Sequence, residues 1–291
     1  MESSKTVLIT GATGKQGGAV LDALRGHPDY PTLSIRLVVR DPAAAAKKLP
    51  KDPSLSLHTA DLTSTSSLIP ALTDVHTAFL VTTPSPNPDA EVTQGKAFID
   101  AAVKAGVRYI VFTSVGAADR STGIPHFESK RVVEKYLAES GIPHAIIRPV
   151  AFMDNFPVDG GIKRFFILGL FNAALGGKKL QLVAVRDIGI VAADAMLRED
   201  AWRGRAIELA GDEVGLSGML DAWTAVTGTT PWVAWVPWWL LRMALPTDVY
   251  LMFKFFYERG YEADVSTLKK QYPGLQSFED FLREKLGKKA A

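Results

Sequence analysis

Eight residues near the amino terminus, Gly11-Ala12-Thr13-Gly14-Lys15-Gln16-Gly17-Gly18, have the composition of a phosphate cradle. They follow the apolar run Thr6-Val7-Leu8-Ile9-Thr10 and lead into Ala19-Val20-Leu21-Asp22-Ala23-Leu24, so a strand, a glycine turn and a helix succeed one another. Gly11 lets the chain reverse tightly, Gly14 removes a Cβ that would block a pyrophosphate, and Gly17 lets helix and strand approach closely. The helix start offers unpaired N–H groups and the positive end of its dipole to an anion, with Thr13, Lys15 and Gln16 beside it. Arg40 bears on which anion. It ends the apolar run at residues 33–40, where its fixed guanidinium fork suits a ribose 2′-phosphate. Asp41 could instead grip a ribose 2′-hydroxyl, but Pro42 follows at once, so Asp41 reads better as the N-cap of a helix over residues 43–49. The pattern points to NADP(H). Asp61, at the end of a third apolar run, could reach an adenine amino group or cap the next helix, whereas Arg36 reads as a surface or ion-pair residue.

Such residues need a scaffold that brings them to one edge. Residues 54–60, 77–81, 109–114 and 145–149 read as four more buried strands, alternating with helices over 64–72, 89–105 and 126–140, the last two closed by Gly106 and Gly141. Strands and helices alternating in this way predict a doubly wound, Rossmann-like α/β fold with a parallel sheet in the order 3-2-1-4-5-6. Ligands bind such sheets at the carboxyl ends of the strands. That edge receives Thr82 and Thr83, which open a proline-rich loop over residues 82–88, and Ser114, which would face a nicotinamide. Tyr109 starts its strand and belongs at the opposite edge, and His58 reads as a packing or surface residue.

Composition narrows the class. With 291 residues, 47% apolar and 22% charged, the chain has the makings of one large or two modest soluble domains. The formal charge of +2 is spread along the chain with no basic block beyond Lys288-Lys289, which argues against a nucleic-acid surface. The absence of cysteine removes disulfides, thiolate metal ligands and cysteine nucleophiles together. The first strand begins by about residue 5, leaving no room for a cleavable leader, so a cytoplasmic or nuclear location is expected.

Gly11-x-x-Gly14-x-x-Gly17-Gly18, Arg40, the threonine and proline loop, Val111-Phe112-Thr113-Ser114-Val115-Gly116, His126-Phe127-Glu128-Ser129-Lys130 and the stretch from Arg148-Pro149 to Asn155-Phe156 together resemble the NmrA-like family of atypical short-chain dehydrogenase/reductases. The likeness is dense over residues 1–160; Asp187-Ile188-Gly189 and the run from Glu262 to Leu275 extend it less specifically. The resemblance implies NADP(H) binding by residues 1–153, with a return segment near 184–200. It also implies a smaller mixed α/β lobe over 154–291 and a cleft between the lobes. Short-chain reductases pair a tyrosine acid with a lysine four residues later, which holds the nicotinamide ribose and lowers the tyrosine pKa. Here Lys130 matches the lysine, but His126 stands where the tyrosine would. His126 lies one helical turn from Lys130 on the same face and close to Ser114 in this topology, so its imidazole could donate a proton or simply fill space. Tyr136, about 240° around the helix from Lys130, should face away. The substrate expected is a small aromatic, quinone or carbonyl compound, since a quinone needs hydride but little help from a protein acid. The second reading is a catalytically weak redox sensor that signals cofactor state to a protein partner.

Beyond Pro149 the alternation breaks down. Asn155 leaves the sixth strand at the ligand edge, as a nicotinamide neighbour or a turn residue. Residues 160–177 are apolar and punctuated by glycine, suiting either a mobile cover or a packed helix. Residues 187–194 and 216–227 read as helices, and Ser277-Phe278-Glu279-Asp280 has a capping-box pattern opening the last one. Trp232, Trp235, Trp238 and Trp239, with Leu240, Leu241 and Met243, are interrupted by Pro237, Arg242 and Pro246, short of the roughly 20 residues that span a bilayer. Packing between lobes is the favoured role for these tryptophans, ahead of a planar aromatic pocket and of a partner or membrane-interface surface.

Overall fold

The computed structural model describes residues 5–287 apart from Pro84, Pro86, Ser121 and Asp159. Lys288-Lys289 and both of those loop prolines therefore lie outside the described residues. The chain divides into two compact units: Met1–Asp119 with Pro125–Arg148 and Ile188–Ile207, and Arg120–Ile124 with Pro149–Asp187 and Glu208–Ala291.

The early strands and helices alternate as the apolar runs dictate. They are β1 (Lys5–Thr10), α1 (Lys15–Arg25), β2 (Leu33–Val39), α2 (Pro42–Ala46), β3 (Leu55–Thr59), α3 (Thr65–Leu72), β4 (Thr77–Leu80), α4 (Pro88–Ala105), β5 (Tyr109–Thr113), α5 (Pro125–Glu139) and β6 (His144–Pro149). Later come β7 (Ala151–Phe152), α6 (Gly161–Leu175), β8 (Leu180–Val183), α7 (Val185–Leu197), α8 (Glu199–Trp202) and β9 (Ala206–Leu209). The seven-stranded sheet has the order β3-β2-β1-β4-β5-β6-β9, the expected doubly wound arrangement with β9 added outside β6. Every residue of β4 and β5 is buried, as parallel strands covered on both faces require. On one face Leu72 of α3, Phe98 of α4 and Val133 of α5 close over Leu80, Ile110 and Phe112.

Local sequence explains the joints. The Asp41 carboxylate accepts from Ala44 N at 3.0 Å, capping α2 with Pro42 in the first turn. Asn87 caps α4 by accepting from Asp89 N at 3.0 Å, and Gly106 ends that helix at φ +74°. Arg36 is half-buried, and its Nη1 donates to the carbonyls of Ala71 at 3.0 Å and Thr73 at 2.5 Å, so it serves the carboxyl end of α3.

The second unit contains a three-stranded sheet in which β10 (Asp212–Val214) runs antiparallel to β8, and β7 parallel to it. Residues 161–175 form the helix α6, with Leu168 and Phe171 buried. The remaining helices are α9 (Leu216–Thr227), α10 (Trp238–Ala244), α11 (Thr247–Glu258), α12 (Val265–Gln271) and α13 (Phe278–Lys285). Phe278 packs edge-on against Trp223 and Phe156, and the full capping box of Ser277 and Asp280 opens α13. The tryptophan run departs from its favoured role. Trp232 and Trp235 are 86% and 84% exposed and Trp239 is 63% exposed, because Pro231 and Ala234 of the same loop take the inward positions. Among the described residues no helix is long and apolar enough to cross a membrane.

Candidate functional site

The glycine turn joins β1 to α1 by steric necessity. Gly11 sits at φ +65°, and a Cβ there would meet Val81 Cγ1 at 2.6 Å. A Cβ on Gly17 would lie 2.4 Å from the Gly11 carbonyl and 2.5 Å from Thr10 O, so no side chain fits between helix and strand. Gly14 is the N-cap of α1 and supplies no side chain to cap it, which leaves the first N–H groups for an anion. Thr10 Oγ1 accepts from Val81 N at 2.8 Å and so fixes the carboxyl ends of β1 and β4 side by side.

Against this turn lies a cleft of about 630 Å³ bordered by Gly11, Thr13, Gly14, Arg40, Asp61 and Thr83, together with Asp41 and Lys48. Arg40 is exposed, and Asp41 is occupied as the α2 cap. Asp61 Oδ1 accepts from the N–H and the hydroxyl of Thr63 at 2.8 and 2.9 Å. Those two bonds, helped by the charge of Arg40, hold its carboxyl below the usual carboxylate range. The N-cap of α3 is Ser64, so Asp61 is not the helix cap. The cradle, the cation and the volume fit a dinucleotide phosphate.

Deeper along the same strand edge is a buried ionic cluster. Lys130 Nζ donates to Thr82 Oγ1 at 2.6 Å and to Thr113 O at 3.5 Å, and stands 3.1 Å from Glu91 Oε1. Glu91 also accepts from Thr82 Oγ1 at 2.7 Å and Ser129 Oγ at 2.6 Å, with only 2% of its surface exposed. Burial lowers the Lys130 pKa below the ordinary lysine range, the carboxylates of Glu91 and Glu134 opposing it only partly. Burial alone would raise Glu91, but Lys130 and the two hydroxyls outweigh it and leave the carboxyl below its ordinary value. Thr113 Oγ1 donates to Gln16 Oε1 at 2.6 Å, linking the end of β5 to the start of α1. The next hydroxyl, Ser114, is enclosed without a hydrogen-bond partner among the described residues.

Arg148 of β6 grips Glu134 of α5 through Nε and Nη2 at 3.0 and 2.7 Å and reaches Asp119 with Nη1 at 2.7 Å, fixing the helix that carries Lys130. His126 lies in the first turn of α5, its ring edge-on to Phe127 with centroids 4.7 Å apart. The Tyr136 hydroxyl donates to Asp100 at 2.6 Å, away from Lys130. Tyr109 is fully buried, and burial raises its pKa far above the neutral range, so its phenol stays protonated. Lys15 is exposed at the first position of α1. Asn155 belongs to the second unit, exposed at the end of a short 3-10 turn.

The structure thus draws Gly11, Thr13, Gly14, Arg40, Asp61 and Thr83 around one cleft, and Thr82 and Lys130 into the cluster next to it. Lys130, which the sequence marks only through its match to the short-chain reductase lysine, is buried and held by Thr82, Thr113 and Glu91. The sequence assigns no role to Glu91, and Ser129 enters only as part of the motif that ends in Lys130. An acidic residue in the first turn of a helix reads as an ordinary dipole partner, and nothing local marks it as the counterion of a lysine on another helix.

Comparison with known proteins matches residues 3–282 to the NmrA-like family. Quinone oxidoreductase 2 of Escherichia coli strain K12 is 30% identical over 221 residues, covering 75% of this chain and 70% of that protein. Among solved structures, the NADPH-dependent quinone oxidoreductase of Escherichia coli in complex with NADPH superposes with a TM-score of 0.77 at 24% identity, over 96% of this chain and 99% of that one. NmrA, a negative transcriptional regulator solved with NAD, superposes with a TM-score of 0.73 at 17% identity, over 97% of this chain and 95% of that one.

Proposed function

The chain belongs to the NmrA-like family, and from that premise we propose that it binds NADP(H) at the glycine turn and passes hydride from NADPH to a small aromatic, quinone or carbonyl compound. The observation that carries the cofactor assignment is Arg40, exposed on the cleft while its neighbour Asp41 is consumed as a helix cap. An exposed guanidinium attracts a 2′-phosphate, whereas the carboxylate that would select a 2′-hydroxyl is already engaged. The uncapped start of α1, with Gly11, Thr13, Gly14, Lys15, Gln16 and Gly17, takes the pyrophosphate, and Asp61 faces the adenine side. When bound, the nicotinamide supplies the hydride. Thr82 and Thr83 border it in this reading, and Lys130, held by Glu91, keeps positive charge next to its ribose. Ser114 and His126 would serve the substrate oxygen, His126 as proton donor. A quinone acceptor demands least of that donor, since water protonates a hydroquinone anion readily, and the relative from Escherichia coli is named for such substrates.

Arg40→Ala tests the cofactor assignment. A lost charge-assisted contact should weaken NADPH about 10- to 100-fold in fluorescence titration and leave NADH nearly unchanged; equal losses for both would place the 2′-phosphate elsewhere. NADPH absorbance followed with a panel of quinones and aromatic aldehydes tests turnover. A second reading, an NADP(H)-responsive regulator with little catalysis, is favoured by His126 in place of a tyrosine and by Lys130 having its hydrogen bonds directed at Thr82, Glu91 and Thr113. Tight NADPH binding without turnover across the panel would select it.

A further inference from the structure

The second unit carries an exposed apolar surface. The loop before α10 presents Trp232 and Trp235, 86% and 84% exposed. α10 adds Trp239 and Met243, and the first two turns of α6 add Ile162 and Phe166, each at least half exposed. Backbone contacts join these pieces. Ala234 N donates to Phe165 O at 3.1 Å, so Trp235 and Phe166 flank a shared hydrogen bond, and the Ala234 carbonyl lies 2.6 Å from where a Cβ on Gly169 would sit. Tryptophans exposed singly need no explanation, but several beside exposed aliphatic and phenylalanine side chains mark a surface that meets something.

Charge identifies the occupant. Lys163 of α6 and Arg242 of α10 are exposed among these side chains, within residues 160–186 and 222–247, which contain no carboxylate; Arg164 stacks on Trp223, Lys178 bonds the Tyr257 carbonyl and Arg186 pairs with Glu284, so they are engaged elsewhere. Trp239, Arg242 and Met243, at i, i+3 and i+4, share one face of α10, and all three are exposed. A second copy of the chain is a poor match. A two-fold interface sets the patch against itself, and Lys163 and Arg242 would be enclosed with cations drawn from segments that hold no acid. A bilayer surface carrying anionic phospholipids supplies what is missing: an apolar layer for the rings, water and ester oxygens for the indole N–H groups, and phosphates for the cations. We propose that this face of the second unit docks on anionic membrane surfaces, with Trp235, Trp239, Met243 and Phe166 in the headgroup layer and Lys163 and Arg242 against lipid phosphates. It lies on the surface and does not span, as interfacial segments of basic and aromatic character do.

The full-length chain should co-sediment with phosphatidylcholine vesicles containing phosphatidylserine, and bind phosphatidylcholine alone about tenfold or more weakly, with the difference erased by high salt. Its tryptophan emission should shift to the blue and be quenched by brominated lipid. The pair Trp235→Ser with Trp239→Ser, and separately the pair Lys163→Glu with Arg242→Glu, should each lower binding at least about tenfold while NADPH titration and circular dichroism match the parent. Equal binding to both vesicle types, binding to neither, or charge-reversed protein that binds as well as the parent overturns the proposal. So does a dimer in sedimentation velocity that the tryptophan pair abolishes, which would assign the surface to a second copy.

Discussion

An enclosed ammonium survives in a fold only with its counterion, and Lys130 has Glu91 at 3.1 Å with both side chains nearly dry. Removing one partner leaves an uncompensated charge, which costs about 3–5 kcal/mol, far above the 0–1 kcal/mol of an exposed pair such as Lys135–Glu139. Glu91→Gln should therefore lower the unfolding free energy measured in urea by that order and loosen the Thr82 end of the cluster. Adding Lys130→Met should recover a large part of the loss, because no lone charge then remains. A Glu91→Gln cost below about 1 kcal/mol would mean that Lys130 is neutral or solvated. Arg40 is the opposite case, an exposed cation whose removal should cost little stability and act on NADPH affinity alone.

Elements meet where side chains are absent. At Gly17 an added Cβ would contact backbone atoms of Gly11 and Thr10 at 2.4–2.5 Å, and backbone cannot rotate away. Gly17→Ala must push α1 off β1, and we expect a loss above about 2 kcal/mol in chemical denaturation together with loss of NADPH binding. Gly106→Ala is the control. It lies at φ +74° with nothing within 4 Å of the new Cβ, so only the left-handed backbone is penalised, by about 1–2 kcal/mol, with cofactor binding intact. Similar losses at the two positions would show that α1 adjusts more freely than its packing implies. The same logic joins α7 to α1: a Cβ on Gly189 would stand 2.3 Å from Ala19 O, which accounts for glycine in the Asp187-Ile188-Gly189 run.

At the scale of the whole molecule, stability should carry a signature of Asp187. Its carboxylate is fully buried and accepts one bond from Gln276 N at 2.7 Å, while Oδ1 has no hydrogen bond among the described residues and meets the Arg186 guanidinium only at 4.0 Å. Burial raises its pKa from 3.8 to about 6. The folded state thus holds this proton more tightly than the unfolded chain. The associated stability is complete below about pH 4 and is lost as pH rises through about 6, amounting to about 3 kcal/mol. Asp187→Asn keeps an acceptor for Gln276 N and removes the titration. Urea midpoints of parent and variant measured from pH 4 to 7 should diverge upward in favour of the variant, and parallel curves would show that Asp187 does not titrate in this window.

The sequence by itself determined the parallel sheet and its order, because burial on both faces and glycine turns are written within a few residues of each element. It likewise determined the glycine turn between β1 and α1, the cap at Asp41 and the position of Arg40 at the end of β2, each a matter of neighbours in the chain. What joins residues distant in sequence was decided only by tertiary structure. Glu91 finds Lys130 across 39 positions, Arg148 finds Glu134 across 14, and Arg36 finds the end of α3. No local pattern specifies such pairs, since a carboxylate on a helix looks the same whether it meets water or an ammonium. The tryptophan run shows the same limit in reverse: composition announced an unusual surface, but whether the rings turn inward or outward depends on which neighbours in the loop fill the core first. There Pro231 and Ala234 are buried and Trp232 and Trp235 are left outside.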